Sequence, residues 1–242
     1  KGVVMQVSVE GKLVEVSDGA SCADALKEGL SGKRFKAALA CKVGDALLDL
    51  TAPVPATTET PELTPVTADS AEGLSLIRHS AAHVMAAAVK KLFPAAKVTI
   101  GPSIENGFYY DFDVEKPFSP EDFEAIEAEM QRIVNAAVPF ERMDISKADA
   151  VKLFSDMGEP YKVELIEGLE DGTITLYRNG DFVDLCRGPH IPNTGFVKAF
   201  KLLSVAGAYW RGDEHNKMLT RIYGTAFAKK DEMEAYFTML EE

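Results

Sequence analysis

The sequence predicts an α+β protein in two parts: a small roll of strands around one helix, then a larger α+β region. Three observations carry this. Residues 3–50 alternate apolar and polar side chains around glycine-containing turns, with one helical pattern between two hairpin patterns. A proline- and threonine-rich stretch, "TAPVPATTETPELTPVTADSAEG", then interrupts the periodicity. Beyond it, capped helical patterns and hairpin patterns follow one another, the signature of an α+β chain.

"VVMQVSVEGKLVEVSDG" is a hairpin turning at Glu10-Gly11. "SCADALKEGL" is a helix with Ser21 as N-cap. "FKAALACKVGDALLDL" reads as two strands around Gly44-Asp45. "ELTPVTA" allows one more strand, which Pro65 restricts to a sheet edge because proline has no N–H to give a ladder. A helix runs from Leu74 to about Phe93, stopped by Pro94. "VTIGPSIENGFYYDFDV" is a strand pair turning at Asn106-Gly107. "SPEDFEAIEAEMQRIVNAA" is a helix with Ser119 as N-cap and Pro120 at its first position. "SKADAVKLFSDMG" is a shorter helix between Ser146 and Gly158. "TITLYRNGDFVDLC" is a hairpin about Asn179-Gly180, and "GFVKAFKLLSVAGAYW" supplies a further strand or two. "KKDEMEAYFTMLEE" is a helix without a cap, as though the pattern continued.

Composition bounds the function. The 242 residues are 46% hydrophobic and 26% charged, as in soluble globular proteins. The formal net charge of −12 argues against a non-specific nucleic-acid binder, though not against one structured RNA held at a local patch. Three cysteines make a disulfide framework improbable and point to a reducing cytoplasm.

Two stretches carry chemistry. In "RHSAAHVMAAAVKKLF", His79 and His83 stand four residues apart on a helix, so their Cβ atoms lie roughly 6 Å apart on one face. In "DLCRGPH", Cys186 and His190 flank a Gly-Pro turn after a strand. Together the four are a nitrogen and sulfur set with the count of a tetrahedral zinc site. They are equally a set of proton carriers able to activate water without a metal. Each motif alone has a plain structural reading, as a packing pair or a buried thiol. Cys22 and Cys41 fall at apolar positions and read as core, and His215 reads as a solvated loop residue.

"RHSAAH", "IGPSIENGFYYDF", "YKVELI", "VDLCRGPH" and "GAYWRGDEHNKMLTRIYGTAF" occur in one order. Together they resemble the N-terminal half of bacterial threonyl-tRNA synthetases. The resemblance implies a TGS-like, ubiquitin-type β-grasp domain over 1–68 and a linker at 69–73. It implies an editing domain of the threonyl/alanyl-tRNA synthetase type over 74–227, and the start of a linker helix over 228–242. It implies hydrolysis of seryl-tRNA(Thr), with threonyl-tRNA(Thr) spared. His79 and Lys162 would handle water and proton, with His83, Cys186 and His190 lining the same pocket. Asp184 would grip the serine ammonium, and Tyr110 would hold the terminal adenosine or the amino acid. The partner is the acceptor end of tRNA(Thr), with no membrane involved. No cofactor is expected within these residues, since ATP and zinc belong to the aminoacylation core that follows in the longer enzymes, which are homodimers through that core. Zinc remains the main alternative, because the alanyl branch holds zinc with this quartet. That would make the chain a metallohydrolase or a structural zinc module. The third reading is a non-catalytic tRNA-binding module.

Overall fold

The computed structural model describes residues 2–242, which fall into two compact units. The first runs to Leu76 and includes Gly188–Pro192. The hairpin of β1 (Val4–Val9) and β2 (Lys12–Ser17) sets Val7 opposite Val14 and Met5 opposite Val16. Ser21 caps α1 (Cys22–Gly29) as expected: its hydroxyl accepts the Asp24 N–H while the Asp24 carboxylate accepts the Ser21 N–H. The next segment departs from expectation. "GKRFKA" forms a short helix, α2 (Gly32–Ala37), because the Ser31 hydroxyl accepts the Arg34 N–H and starts a turn before the apolar run begins. Strands β3 (Ala38–Val43) and β4 (Ala46–Leu48) follow.

Strand β5 (Glu62–Thr67) corrects a second expectation. The sheet order is β2-β1-β5-β3-β4, so the proline-bearing strand is central rather than at an edge. The reason is register. Parallel pairing with β1 covers only Glu62 and Leu63, so the ladder on that side has ended before Pro65. Its missing N–H leaves no partner unsatisfied. Helix α1 packs on β1, β2 and β5. Val7, Val9, Cys22, Leu26, Cys41 and Leu63 make the centre of this core, and both cysteines are fully buried as expected.

The second unit comprises Ile77–Arg187 and Asn193–Glu242. Most of α3 (Ala71–Leu92) lies in it, with Ala81, Ala82, Val84, Met85, Ala88 and Val89 wholly buried. Short β6 (Lys97–Val98) and β7 (Ser103–Ile104) precede β8 (Gly107–Asp113), the strand pair of the sequence being broken at Gly101-Pro102. A 3₁₀ turn at Pro120–Asp122 leads into α4 (Phe123–Asn135). Then come β9 (Glu141–Asp144), α5 (Lys147–Asp156) and α6 (Pro160–Glu167). The hairpin β10 (Thr175–Asn179) and β11 (Phe182–Leu185), the long β12 (Ala199–Tyr209), β13 (Met218–Phe227) and α7 (Lys230–Glu241) complete it.

Two antiparallel sheets organise this unit, β11-β10-β9 and β12-β13-β8-β6, with β7 also on β8. The charged strand β9 and the helix α6 carry too little periodicity to be read from sequence. Helices α5 and α6 close the small sheet through Phe154, Ile166, Ile174, Leu176 and Val183. Among the described residues no helix is long and apolar enough to cross a membrane.

Candidate active site

Helix α3 brings His79 to the end of β11. Cys186 follows that strand directly, held by its N–H donating to the Thr175 carbonyl (3.1 Å). The His79 Nε2 lies 2.9 Å from the Cys186 Sγ, so the two motifs meet through these residues. One helical turn on, His83 is buried between Phe140 and Phe182, whose rings meet it edge-on with centroids 5.1 and 4.8 Å away. Burial disfavours the charged imidazole at both positions. It lowers His79, with Asp184 opposing, and pushes His83 down to about 4. Both rings are therefore neutral near pH 7, the form that can accept a proton.

The remaining polar groups come from three further elements. Lys162, on α6, is 1% exposed; it forms an ion pair with Asp184 of β11 and donates to the Thr99 carbonyl. Tyr110, on β8, is equally buried, and its hydroxyl donates to the other Asp184 oxygen (Oδ2, 3.0 Å). The Lys162 ammonium also stands 5.6 Å from the centre of the Tyr110 ring. Burial and the Asp184 carboxylate push the Tyr110 phenol well above its ordinary range, so it stays a donor. A buried ammonium is tolerable only when paired, and here carboxylate, carbonyl and ring face supply the pairing.

His190 falls in the first unit, buried, its backbone N–H donating to Asp49 Oδ1 (2.9 Å). His215 is exposed and bonded to Asp213, as its loop reading expects. Sequence reasoning missed Thr99, Phe140 and Phe182. Thr99 acts through its backbone carbonyl, which no side-chain pattern reveals. The two phenylalanines looked like ordinary strand apolars.

The sequence pattern described as "Threonyl and Alanyl tRNA synthetase second additional domain" matches residues 174–223. That segment contains Asp184, Cys186 and His190. A threonine–tRNA ligase of Nitratidesulfovibrio vulgaris is 66% identical over 238 residues, covering 98% of this chain and 37% of that protein. The similarity to this ligase runs along nearly the whole of the chain. The threonine–tRNA ligases of Oleidesulfovibrio alaskensis and Solidesulfovibrio magneticus are 64% and 55% identical, again over 98% of this chain and 37% of each relative. The chain thus spans little more than a third of the length of these ligases.

Proposed function

We propose that the second unit is an editing site that hydrolyses the ester of seryl-tRNA(Thr) and spares threonyl-tRNA(Thr). The observation that carries this reading is the gathering, in one unit, of a neutral imidazole bonded to a thiol with a buried ammonium–carboxylate–phenol cluster. The need for such a site follows from the energetics of recognition. Serine lacks one methyl group of threonine, and a pocket that accepts threonine rejects serine by only about 1–3 kcal/mol. A second site that admits the smaller side chain and clashes with the larger adds the missing discrimination.

Ester hydrolysis needs an activated water, a stabilised oxyanion and a proton for the leaving ribose oxygen. His79, neutral near pH 7, takes the proton of the attacking water. The Lys162 ammonium supports the oxyanion and supplies the proton to the leaving oxygen. Asp184 receives the serine ammonium alongside Lys162, and Tyr110 holds that carboxylate in place. His83 and Cys186 fix the orientation of His79. For His190 the proposal rests on the motif alone. The partner is the acceptor end of tRNA(Thr).

The reaction is proposed to run without a metal. The chain's similarity is to threonine–tRNA ligases, whereas the zinc-holding quartet belongs to the alanyl branch. We further propose that the first unit is a TGS-type β-grasp. Its support is the strand order β2-β1-β5-β3-β4 with α1 across it.

The test is deacylation of seryl- and threonyl-tRNA by this chain. Seryl-tRNA should be hydrolysed and threonyl-tRNA spared. A general acid–base group typically contributes about 10²–10⁴-fold, so His79→Ala and Lys162→Ala should each slow the reaction by at least about tenfold. Cys22→Ala and His215→Ala should leave it unchanged. Equal hydrolysis of both substrates would refute the sieve. One equivalent of zinc in the purified chain, with activity lost to a chelator and restored by zinc, would refute the metal-free route.

A further inference from the structure

The polar cluster depends on where the Tyr110 ring stands, and one residue outside the cluster leaves room for that ring. At Gly101 an added Cβ would sit 2.1 Å from Tyr110 Cδ2, 2.8 Å from its Cγ and 2.7 Å from the Tyr109 carbonyl oxygen. The requirement is space alone, because Gly101 is not among the glycines with positive φ. The backbone is fixed on both sides of it. The Thr99 hydroxyl donates to the Asp111 carbonyl (2.8 Å), and the Asp111 N–H donates to the Ile100 carbonyl (3.1 Å). The Tyr109 N–H donates to the Pro102 carbonyl (3.3 Å). Segment 99–102 is therefore laced to β8, and the ring of Tyr110 lies against Gly101 where a side chain is missing. From that position the phenol reaches Asp184, whose second oxygen holds Lys162.

We propose that Gly101 is a positioning residue of this site: its bare backbone seats the Tyr110 ring so that the phenol holds the Asp184 carboxylate against the Lys162 ammonium. The inference rests on the editing reading given above for the activity it affects. The geometry it describes stands apart from that reading. Any side chain at 101 displaces the ring, removes the phenol from Asp184 and leaves the carboxylate free to turn away from Lys162.

The experiment compares Gly101→Ala, Tyr110→Phe and the double variant, with Gly168→Ala as a control in the same unit, where an added Cβ meets no atom closer than 3.6 Å. If Gly101 acts through Tyr110, each single variant slows seryl-tRNA hydrolysis by a similar factor, on the order of tenfold in kcat. The double variant is then no slower than the worse single, since contacting residues on one path do not add. Gly168→Ala stays at the parent rate. Factors that multiply in the double variant, or a parent rate for Gly101→Ala, overturn the proposal.

A readout independent of activity follows the ionisation of Tyr110 by NMR with ring-labelled tyrosine. Gly101→Ala should bring it down toward the ordinary phenol range, and an unchanged titration overturns the proposal. If the unaltered chain hydrolyses no seryl-tRNA, the editing reading fails while this titration still judges the positioning. Should Gly101→Ala fail to fold, Gly101→Ala combined with Tyr110→Ala removes the ring that the new methyl meets. Folding restored in that pair supports the proposal. A pair that stays unfolded while Tyr110→Ala alone folds overturns it.

Discussion

The two units bury different things. The apolar core of the first is built of Val7, Val9, Cys22, Leu26, Cys41 and Leu63, and among the described residues Asp49 and His190 are its buried polar or charged residues. The second buries Arg78, His83, Asp111, Glu159, Lys162 and Asp184 as well as its apolar residues. Most of those charges carry a dedicated partner. Lys90 reaches Glu159 (2.7 Å), Arg221 grips Asp111 with two bonds (2.7 and 2.9 Å), and Lys162 pairs with Asp184. An ion pair out of water gains little over a well-packed apolar pair of the same size. The second unit therefore accepts a less efficient interior. What it gains is a set of ionisable groups in fixed positions with shifted affinities for protons. The first unit has the economy of a scaffold and the second has the composition of a site.

The largest break in that contrast should come from Lys162→Met. It leaves the Asp184 carboxylate in the interior without its counter-charge, held by the Tyr110 hydroxyl, and loss of one partner from a buried pair costs about 3–5 kcal/mol. Adding Asp184→Leu should return much of that stability, as urea unfolding of the three variants would show. A single variant as stable as the parent would mean that water reaches the pair.

Leu26→Ala makes the complementary cut in the first unit. The side chain is wholly buried, and such truncations cost about 2–5 kcal/mol. No candidate catalytic group lies in residues 1–68. Deacylation at a temperature where the variant remains folded should therefore match the parent rate, and a tenfold fall would show that the division of labour is wrong.

Acidification gives the smallest of the three effects and sharpens the comparison without mutation. His83 binds its proton at about 4 when folded and near 6.5 when unfolded. Its contribution is thus fully present above pH 6.5 and is lost as the pH falls toward 4, because the unfolded chain takes up the proton first. Between pH 7 and 5 this removes about 2 kcal/mol. The lowered His79 acts in the same direction. His83→Gln should remove its own share of that slope, measured by urea unfolding at the two pH values. A slope identical to the parent's would show that His83 does not titrate as its burial requires.

Local patterns fixed much of the architecture. The capping box at Ser21, the hairpin turning at Glu10-Gly11, the hairpin whose turn falls at Gly180-Asp181, one residue past the expected Asn179-Gly180, and the alanine-rich helix are each written in a few neighbouring residues. Periodicity and capping are short-range effects, so a short window contains them. The helix spacing also placed His79 and His83 on one face. What no window contains is the partner. Lys162, Asp184 and Tyr110 entered the site through the resemblance alone, since no local pattern marks them. They became a buried cluster only when α6, β11 and β8 converged, because burial and pairing depend on what other elements bring. Pro65 teaches the same lesson in the backbone. Its residue type forbids a ladder bond, but only the register with β1 decided that no such bond was required, and so a strand that looked peripheral lies at the centre of its sheet.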